Sequence, residues 1–298
     1  DYTGYTSLEV PLAGRSQVDI SLKEDDGLLN EVVVVGYGTQ RKSDLTGAVG
    51  TVKAKDIERI PTASVEQALQ GKIAGVYVSP SSGAPGAGAT IRIRGTGTLN
   101  NAGPLYVVDG MLLEDASFVN PQDVASIEVL KDASATAIYG NRGANGVIII
   151  TTKRGVTDRK SVFSLSSYYG NQQIAKKLSM ANATQFAEMY NELQGNTNTF
   201  PDPSRLGTGT DWQDVIYRDA PIASLNLSAN GAWKKINYNF SGNYFNQKGI
   251  LEETGFERYT GRFNGEYSIL KTLKIGTNLA YFTADSKDVG GNIIGGTY

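Results

Sequence analysis

The 298-residue chain contains neither cysteine nor histidine. Their absence removes disulfides, thiolate metal sites, thiol nucleophiles and imidazole bases together. Catalysis would have to run on carboxylates, Lys, Tyr or Ser alone. Excess charge is missing too: 28 Lys+Arg against 30 Asp+Glu give a net charge of −2, whereas a nucleic-acid surface needs a basic face or stripe. No apolar run approaches the ~20 residues of a membrane-crossing helix; the longest, around 146–150, is strand-sized. No basic and apolar leader is visible at Asp1, a feature that a trimmed export product shares with a protein never exported. What the chain has in surplus is glycine, 35 residues, or about 12% against a usual ~7%. With 16 Tyr and abundant Asn, Ser and Thr, this composition implies many turns and strands and modest helix content.

Four zones differ in texture. Residues 1–28 alternate at Leu8, Val10, Leu12 and again at Val18, Ile20, Leu22 before the acidic Glu24, Asp25 and Asp26. That pattern reads as two short strands, the tail of a small β domain, since two strands do not stand alone. Residues 29–40 form a linker broken by Glu31 and four consecutive valines, Val32, Val33, Val34 and Val35, then Gly36-Tyr37-Gly38. β-Branched residues in a row demand an extended backbone. The run reads either as a buried strand or as one that pairs with another protein's sheet edge, main-chain hydrogen bonds giving the affinity.

Residues 41–155 read as an α+β domain. Ser64 and Gln67 fit a capping box opening a short helix with Glu66 and Gln67 outward. Strands are expected at 76–79, 90–94, 105–109, 127–130 and 147–152, a tight turn at Asp109-Gly110, and a helix over 133–139 ended by Gly140. Arg92 and Arg94, two apart on a strand, share one side, a solvated face or a place for ionic contact with a surrounding wall or with Glu128.

Residues 156–298 change rhythm: 161–169, 222–230, 236–246, 258–268 and 273–283 alternate with period two. In the third, Ile236, Tyr238, Phe240 and Tyr244 oppose Asn237, Asn239, Ser241 and Asn243. Each run is near the 9–11 residues of a tilted membrane-spanning strand. Short connections at 231–235 and 269–272 contrast with a loop at 247–257 and an excursion at 171–221 holding a helix near 183–193. Short turns on one side and long loops on the other suit an outer-membrane barrel. A water-soluble sandwich has the same alternation, with its polar face in solvent.

Glycine-rich pieces such as Gly86-Ala87-Gly88 and Gly95-Thr96-Gly97 lack the spacing of a phosphate loop and read as turn or close-packing glycines. The carboxylates of Asp109, Glu114, Asp115 and Glu128 lack calcium-loop spacing. No catalytic residue, metal ligand or cofactor is assigned, and the chain is read as not an enzyme.

The stretch Leu29-Asn30-Glu31-Val32-Val33-Val34-Val35-Gly36-Tyr37-Gly38-Thr39-Gln40 resembles the TonB-box region of the SusC/RagA family of TonB-dependent outer-membrane transporters. Ile91-Arg92-Ile93-Arg94-Gly95, Pro104-Leu105-Tyr106-Val107-Val108-Asp109-Gly110, 127–140 and 142–153 resemble that family's plug, and residues 1–23 the end of a carboxypeptidase-regulatory-like β-sandwich domain. The resemblance implies an α+β plug domain (41–155) followed by antiparallel transmembrane β-barrel strands (156–298). It further implies import of glycans or peptides across the outer membrane of a Bacteroidetes-type Gram-negative bacterium, driven by the proton-motive force. Glu31 and Val32 to Val35 would bind TonB, with its inner-membrane motor. Arg92, Arg94, Glu128 and Arg142 would be plug–barrel contacts, and a SusD-like surface lipoprotein would form the lid. A family barrel has 22 strands, needing roughly 220 residues at ~10 each, so five strands imply a partial barrel: a piece of a longer protein, the favoured reading, or a wall whose remaining strands are supplied separately. The alternative is a soluble periplasmic or surface β-rich binding protein.

Overall fold

The computed structural model describes residues 32–35, 38–41, 49–58, 62–98, 101–155, 160–195, 199–270 and 272–289. The strands expected within 1–28 lie outside the described residues. The chain divides into two compact units, one holding residues 88–153 and those up to 81, the other 82–87 and those from 154 onward.

Ahead of the first unit's main sheet, β1 (Val32–Val35) pairs antiparallel with β2 (Gly38–Arg41) as a separate two-stranded sheet. The valine run is extended, as its branching requires, and is half of a hairpin.

The main sheet of the first unit contains β3 (Val49–Lys53), β6 (Leu105–Val108), β7 (Met111–Leu113), β8 (Val124–Leu130) and β9 (Val147–Thr152), in the order β3-β8-β9-β6-β7. The central β9 is parallel to β6 and antiparallel to β8. Its Val147-Ile148-Ile149-Ile150 run is apolar on both faces because both faces are covered. Ile148 and Ile150 join Tyr106, Val108, Ile127 and Val129 in one core cluster, and Val147 and Ile149 join Leu105, Val107 and Leu130 in another. β4 (Val76–Pro80) and β5 (Ala89–Ile93) form a second antiparallel pair whose Val78, Ile91 and Ile93 enter the first cluster.

Among the described residues three short α-helices decorate this unit: α1 (Ala54–Ile57), α2 (Val65–Ala68) and α3 (Ala133–Thr136). The Ser64 hydroxyl accepts the Gln67 N–H at 3.3 Å, the cap its sequence calls for. Glu66, expected outward, is instead buried at 6% exposure, its carboxyl turned back onto its own backbone, Ser64 and the Ala116 backbone. α1 and β3 carried no sequence signal that set them apart. The helix expected over 133–139 is shorter, passing into a 3-10 segment (Ala137–Gly143) kinked at Gly140 with φ +59°. Asp109 (φ +49°) and Gly110 (φ +91°) make the expected tight turn between β6 and β7.

The second unit is a five-stranded antiparallel meander: β10 (Val162–Gln172), β11 (Ala220–Trp233), β12 (Ile236–Lys248), β13 (Gly255–Ser268) and β14 (Lys274–Lys287). These are the five expected strands, each longer than its alternating stretch, because main-chain pairing runs on past the ends of the apolar band. Lys234 and Lys235 alone join β11 to β12, whereas residues 173–219 join β10 to β11. That excursion carries the expected helix as α4 (Ala183–Gln194), together with α5 (Trp212–Ile216). The α4 N-terminus has a full capping box between Asn182 and Gln185, and Gly195 closes its C-terminus in the left-handed conformation at φ +59°.

Candidate functional site

Register fixes which side chains of the second unit share a face. Phe163, Ala229, Phe240, Phe263 and Leu279 lie in one cross-strand row. On the other face Asn230, Asn239, Asn264 and Asn278 form a row of asparagines across four strands. Burial is the reverse of a water-soluble sheet. On the polar face Asn239 is 3% exposed and Arg258 1%; on the apolar face Phe240 is 47% exposed and Leu279 61%. Some polar groups of the buried face are engaged: the Asn243 amide donates to Leu225 O at 3.2 Å and to Ser224 Oγ at 3.3 Å, and the Arg258 guanidinium sits 5.5 Å from the Phe245 ring centroid. The exposed face is bounded by aromatic residues, with Tyr244 and Tyr259 stacked at 5.0 Å near one edge and Trp233 and Tyr267 near the other. From Ile236 to Tyr244 the strand rises eight residues, about 27 Å along its axis and roughly 20 Å across a membrane at a ~40° tilt.

Residues 82–87 pack within this second unit. Gly86 has φ +69°, and a Cβ there would lie 2.2–2.7 Å from the Phe256 ring. Its N–H points to Gln247 Oε1 at 3.4 Å, and the Gln247 amide donates to Gln172 Oε1 at 3.3 Å. Close packing is the role expected of this glycine from sequence.

The structure separates the four residues expected at a plug–wall contact. Arg92 is half-buried on β5, its Nη1 donating to Ile91 O at 3.1 Å. Arg94 does not share a strand face with it: β5 ends at Ile93, Arg94 turns away at φ +55°, and its guanidinium pairs with Asp132. The positive φ breaks the two-residue periodicity on which the shared face depended. Glu128 is 2% exposed, on the β8 face of Leu130 and opposite Thr51 and Ile149. Arg142 is exposed and lines a cleft of about 320 Å³ with Asn101, Leu113, Glu114 and Asn145.

Sequence reasoning missed two polar features of the first unit. Asp109 is a clasp: its carboxylate accepts the Thr152 N–H at 3.0 Å and the Thr152 hydroxyl at 2.7 Å, tying the β6–β7 turn to the end of β9. Beside it Lys153 Nζ lies 2.5 Å from Glu58 Oε1. Glu66 titrates above the ordinary carboxylate range because burial penalises its charge, against the opposing hydrogen bonds to its own backbone, Ser64 and the Ala116 backbone. Burial likewise pushes Tyr106 up, the charges of Glu66 and Asp115 adding to it. Neither signal is readable from spacing, because each depends on which strand lies opposite. Among the described residues no group of three or more acidic side chains gathers as a metal site.

Residues 41–147 match the family described as TonB-dependent Receptor Plug Domain. TonB-dependent receptor P26 of Formosa agariphila is 40% identical over 296 residues, covering 96% of this chain and 30% of that protein. TonB-dependent receptor SusC of Bacteroides thetaiotaomicron is 37% identical over 298 residues, covering 96% and 29%. Among solved structures, the RagAB peptide importer in the open-open state superposes with a TM-score of 0.76 at 33% identity, covering 87% of this chain and 33% of that one. The chain thus spans about 30% of the length of the curated relatives it matches. An α+β plug followed by a meander whose apolar face is exposed and whose polar face is buried fits these relatives in both halves, and the chain belongs to the SusC/RagA family of TonB-dependent receptors.

Proposed function

We propose that this chain is the plug and first part of the barrel wall of an outer-membrane importer for glycans or peptides. One observation carries the reading: the wall strands bury Asn, Ser and Arg and expose Phe, Leu and Tyr. That arrangement is costly in water and favourable in hydrocarbon. It supports a membrane-embedded wall over a soluble binding protein, whose polar face would meet solvent. An open five-stranded sheet leaves unpaired main-chain groups that hydrocarbon does not tolerate, so further strands close the cylinder in the whole transporter.

Within this reading, residues 41–155 are the gate and 156–298 the start of the barrel. Glu31 and Val32 to Val35 are the handle taken by periplasmic TonB, whose inner-membrane motor spends the proton-motive force to displace the plug. A SusD-like lipoprotein covers the outer face. Arg142, exposed on the plug, and Arg92 suit ionic contact with the wall. The test is fractionation of cells expressing the full-length protein: extraction from the outer membrane only by detergent, with heat-modifiable migration on gels, is expected. Recovery in the soluble periplasmic fraction would overturn the proposal.

A further inference from the structure

The outward face of the second unit changes chemistry in a fixed order toward the end that carries the long excursion. Register lines its side chains up in cross-strand rows, each two residues beyond the last. The apolar band closes with Leu225, Tyr244, Tyr259 and Thr283. The next row out holds Asn246, Glu257 and Asp285, and the one after it Lys248, Gly255 and Lys287. A step of two residues is about 6.8 Å along a strand, or roughly 5 Å of depth at a ~40° tilt. The connections 173–219 and 249–254 lie at this end, and a barrel carries its longer loops on the exterior side.

Two features of these rows point to a ligand. Glu257 and Asp285 are direct cross-strand partners, a placement of like charges that costs stability and that donors shared between them would offset. One Glu257 oxygen accepts the Tyr259 hydroxyl at 2.8 Å, and a carboxylate has about four acceptor positions. Lys248 and Lys287 flank Gly255. They stand two strand spacings apart, about 9.6 Å, with no side chain between them, and their flexible four-carbon stems let both ammonium groups converge on one anion. Asn246, Lys248, Glu257, Asp285 and Lys287 line a single cleft of about 230 Å³ with Arg218. The Arg218 guanidinium is already held there, donating to Glu252 Oε2 at 2.9 Å and to Gly249 O at 3.1 Å.

We propose that these rows bind the headgroup of a phosphorylated glycolipid of the outer leaflet. The proposal rests on the reading of the strands as a membrane wall and adds a lipid that the wall holds. The order of the rows selects the class. In such a glycolipid the acyl chains hang from the sugar itself, so hydroxyl groups lie next to the hydrocarbon and phosphates stand further out. Aromatic rings, then hydroxyl acceptors, then cations match that order. A zwitterionic glycerophospholipid has its phosphate next to the hydrocarbon and its ammonium outside. It would set phosphate against Glu257 and Asp285 and ammonium against Lys248 and Lys287, like charge against like in both rows.

The test uses the full-length transporter, purified in detergent and incubated with equimolar bis-phosphorylated lipid A and phosphatidylethanolamine, the bound lipid being counted by native mass spectrometry. At least tenfold enrichment of lipid A is expected; equal occupancy by the two lipids would overturn the proposal. Lys248→Gln with Lys287→Gln should weaken lipid A binding about fivefold per lysine. The same variant should hold enzymatically dephosphorylated lipid A within about twofold of wild type and keep its heat-modifiable migration. Lipid A binding within about twofold of wild type would overturn the proposal. Glu257→Ala with Asp285→Ala should weaken both forms of lipid A alike, by about three- to tenfold; tighter binding would show that these carboxylates only repel phosphate, and would overturn it. A protein that carries neither lipid yet leaves the membrane only with detergent would refute the glycolipid site and leave the wall standing. Recovery in the soluble fraction would refute the wall itself.

Discussion

Two residues of the first unit carry effects that composition does not announce. Glu66 is held with its pKa above the ordinary value of 4.5, chiefly by burial. A raised carboxyl pKa means that the fold prefers the neutral form. The stabilisation is therefore complete below about pH 4.5 and is lost as pH rises through the native value. Glu66→Gln keeps the shape without the charge. Amide protection factors over Val65–Ala68 in the full-length protein should be higher at pH 7 in this variant and no longer fall between pH 5 and 7; lower protection at pH 7 would show that the carboxylate itself is needed. Gly146 is the second case. It sits at φ +93° ahead of β9, and a Cβ would come 2.6 Å from Ile93 Cδ1. Gly146→Ala should destabilise the plug by about 1–3 kcal/mol through backbone strain and core displacement, read as a lowered denaturant midpoint for the plug. No change would show that the core at Ile93 yields freely.

At the scale of elements, β12 gives the sharpest contrast. Phe240 lies halfway between Ile236 and Tyr244 on the exposed face, near the middle of the apolar band. Phe240→Arg should cost about 2–4 kcal/mol of barrel stability, measured as a loss of the heat-modifiable folded form. Improved solubility with intact folding would instead mark a surface that faces water. In the long excursion, Asn182→Ala removes one half of the α4 capping box and should cost about 1 kcal/mol locally, seen as faster amide exchange in the first turn of α4.

These elements also show what could be read ahead of the coordinates. Alternation placed all five wall strands, since a residue facing lipid and one facing a lumen must differ in polarity, and β-branching fixed the extended valines. Which face of the wall is buried was open between barrel and sandwich, because periodicity is blind to the sign of burial. The partner of β1 was out of reach of sequence: Gly38-Thr39-Gln40-Arg41 has no strand signature of its own, and only pairing with the valines makes it one. Glu66 looked like an outward residue because a helical wheel does not show the segment around Ala116 that covers it. Arg94 looked like a neighbour of Arg92 because a period of two presumes that the strand continues, and a positive φ ended it.

At the scale of the molecule, the two units divide the work proposed for them. The first buries an aliphatic core on both faces of its sheet, as a water-facing plug needs, and carries the valine hairpin ahead of that sheet. The second turns its apolar face outward, as a wall in lipid needs. The strand at the head of the hairpin is where an external pull would enter, and β3, an edge strand of the plug sheet, is the first part of that sheet to bear it. The most direct measurement is cargo uptake by energised cells whose only copy of the full-length transporter lacks residues 31–35. Uptake at the background level of cells without the motor, with wild-type amounts of protein still in the outer membrane, is the expected result. Uptake at the wild-type rate would show that the plug opens without being pulled by this handle.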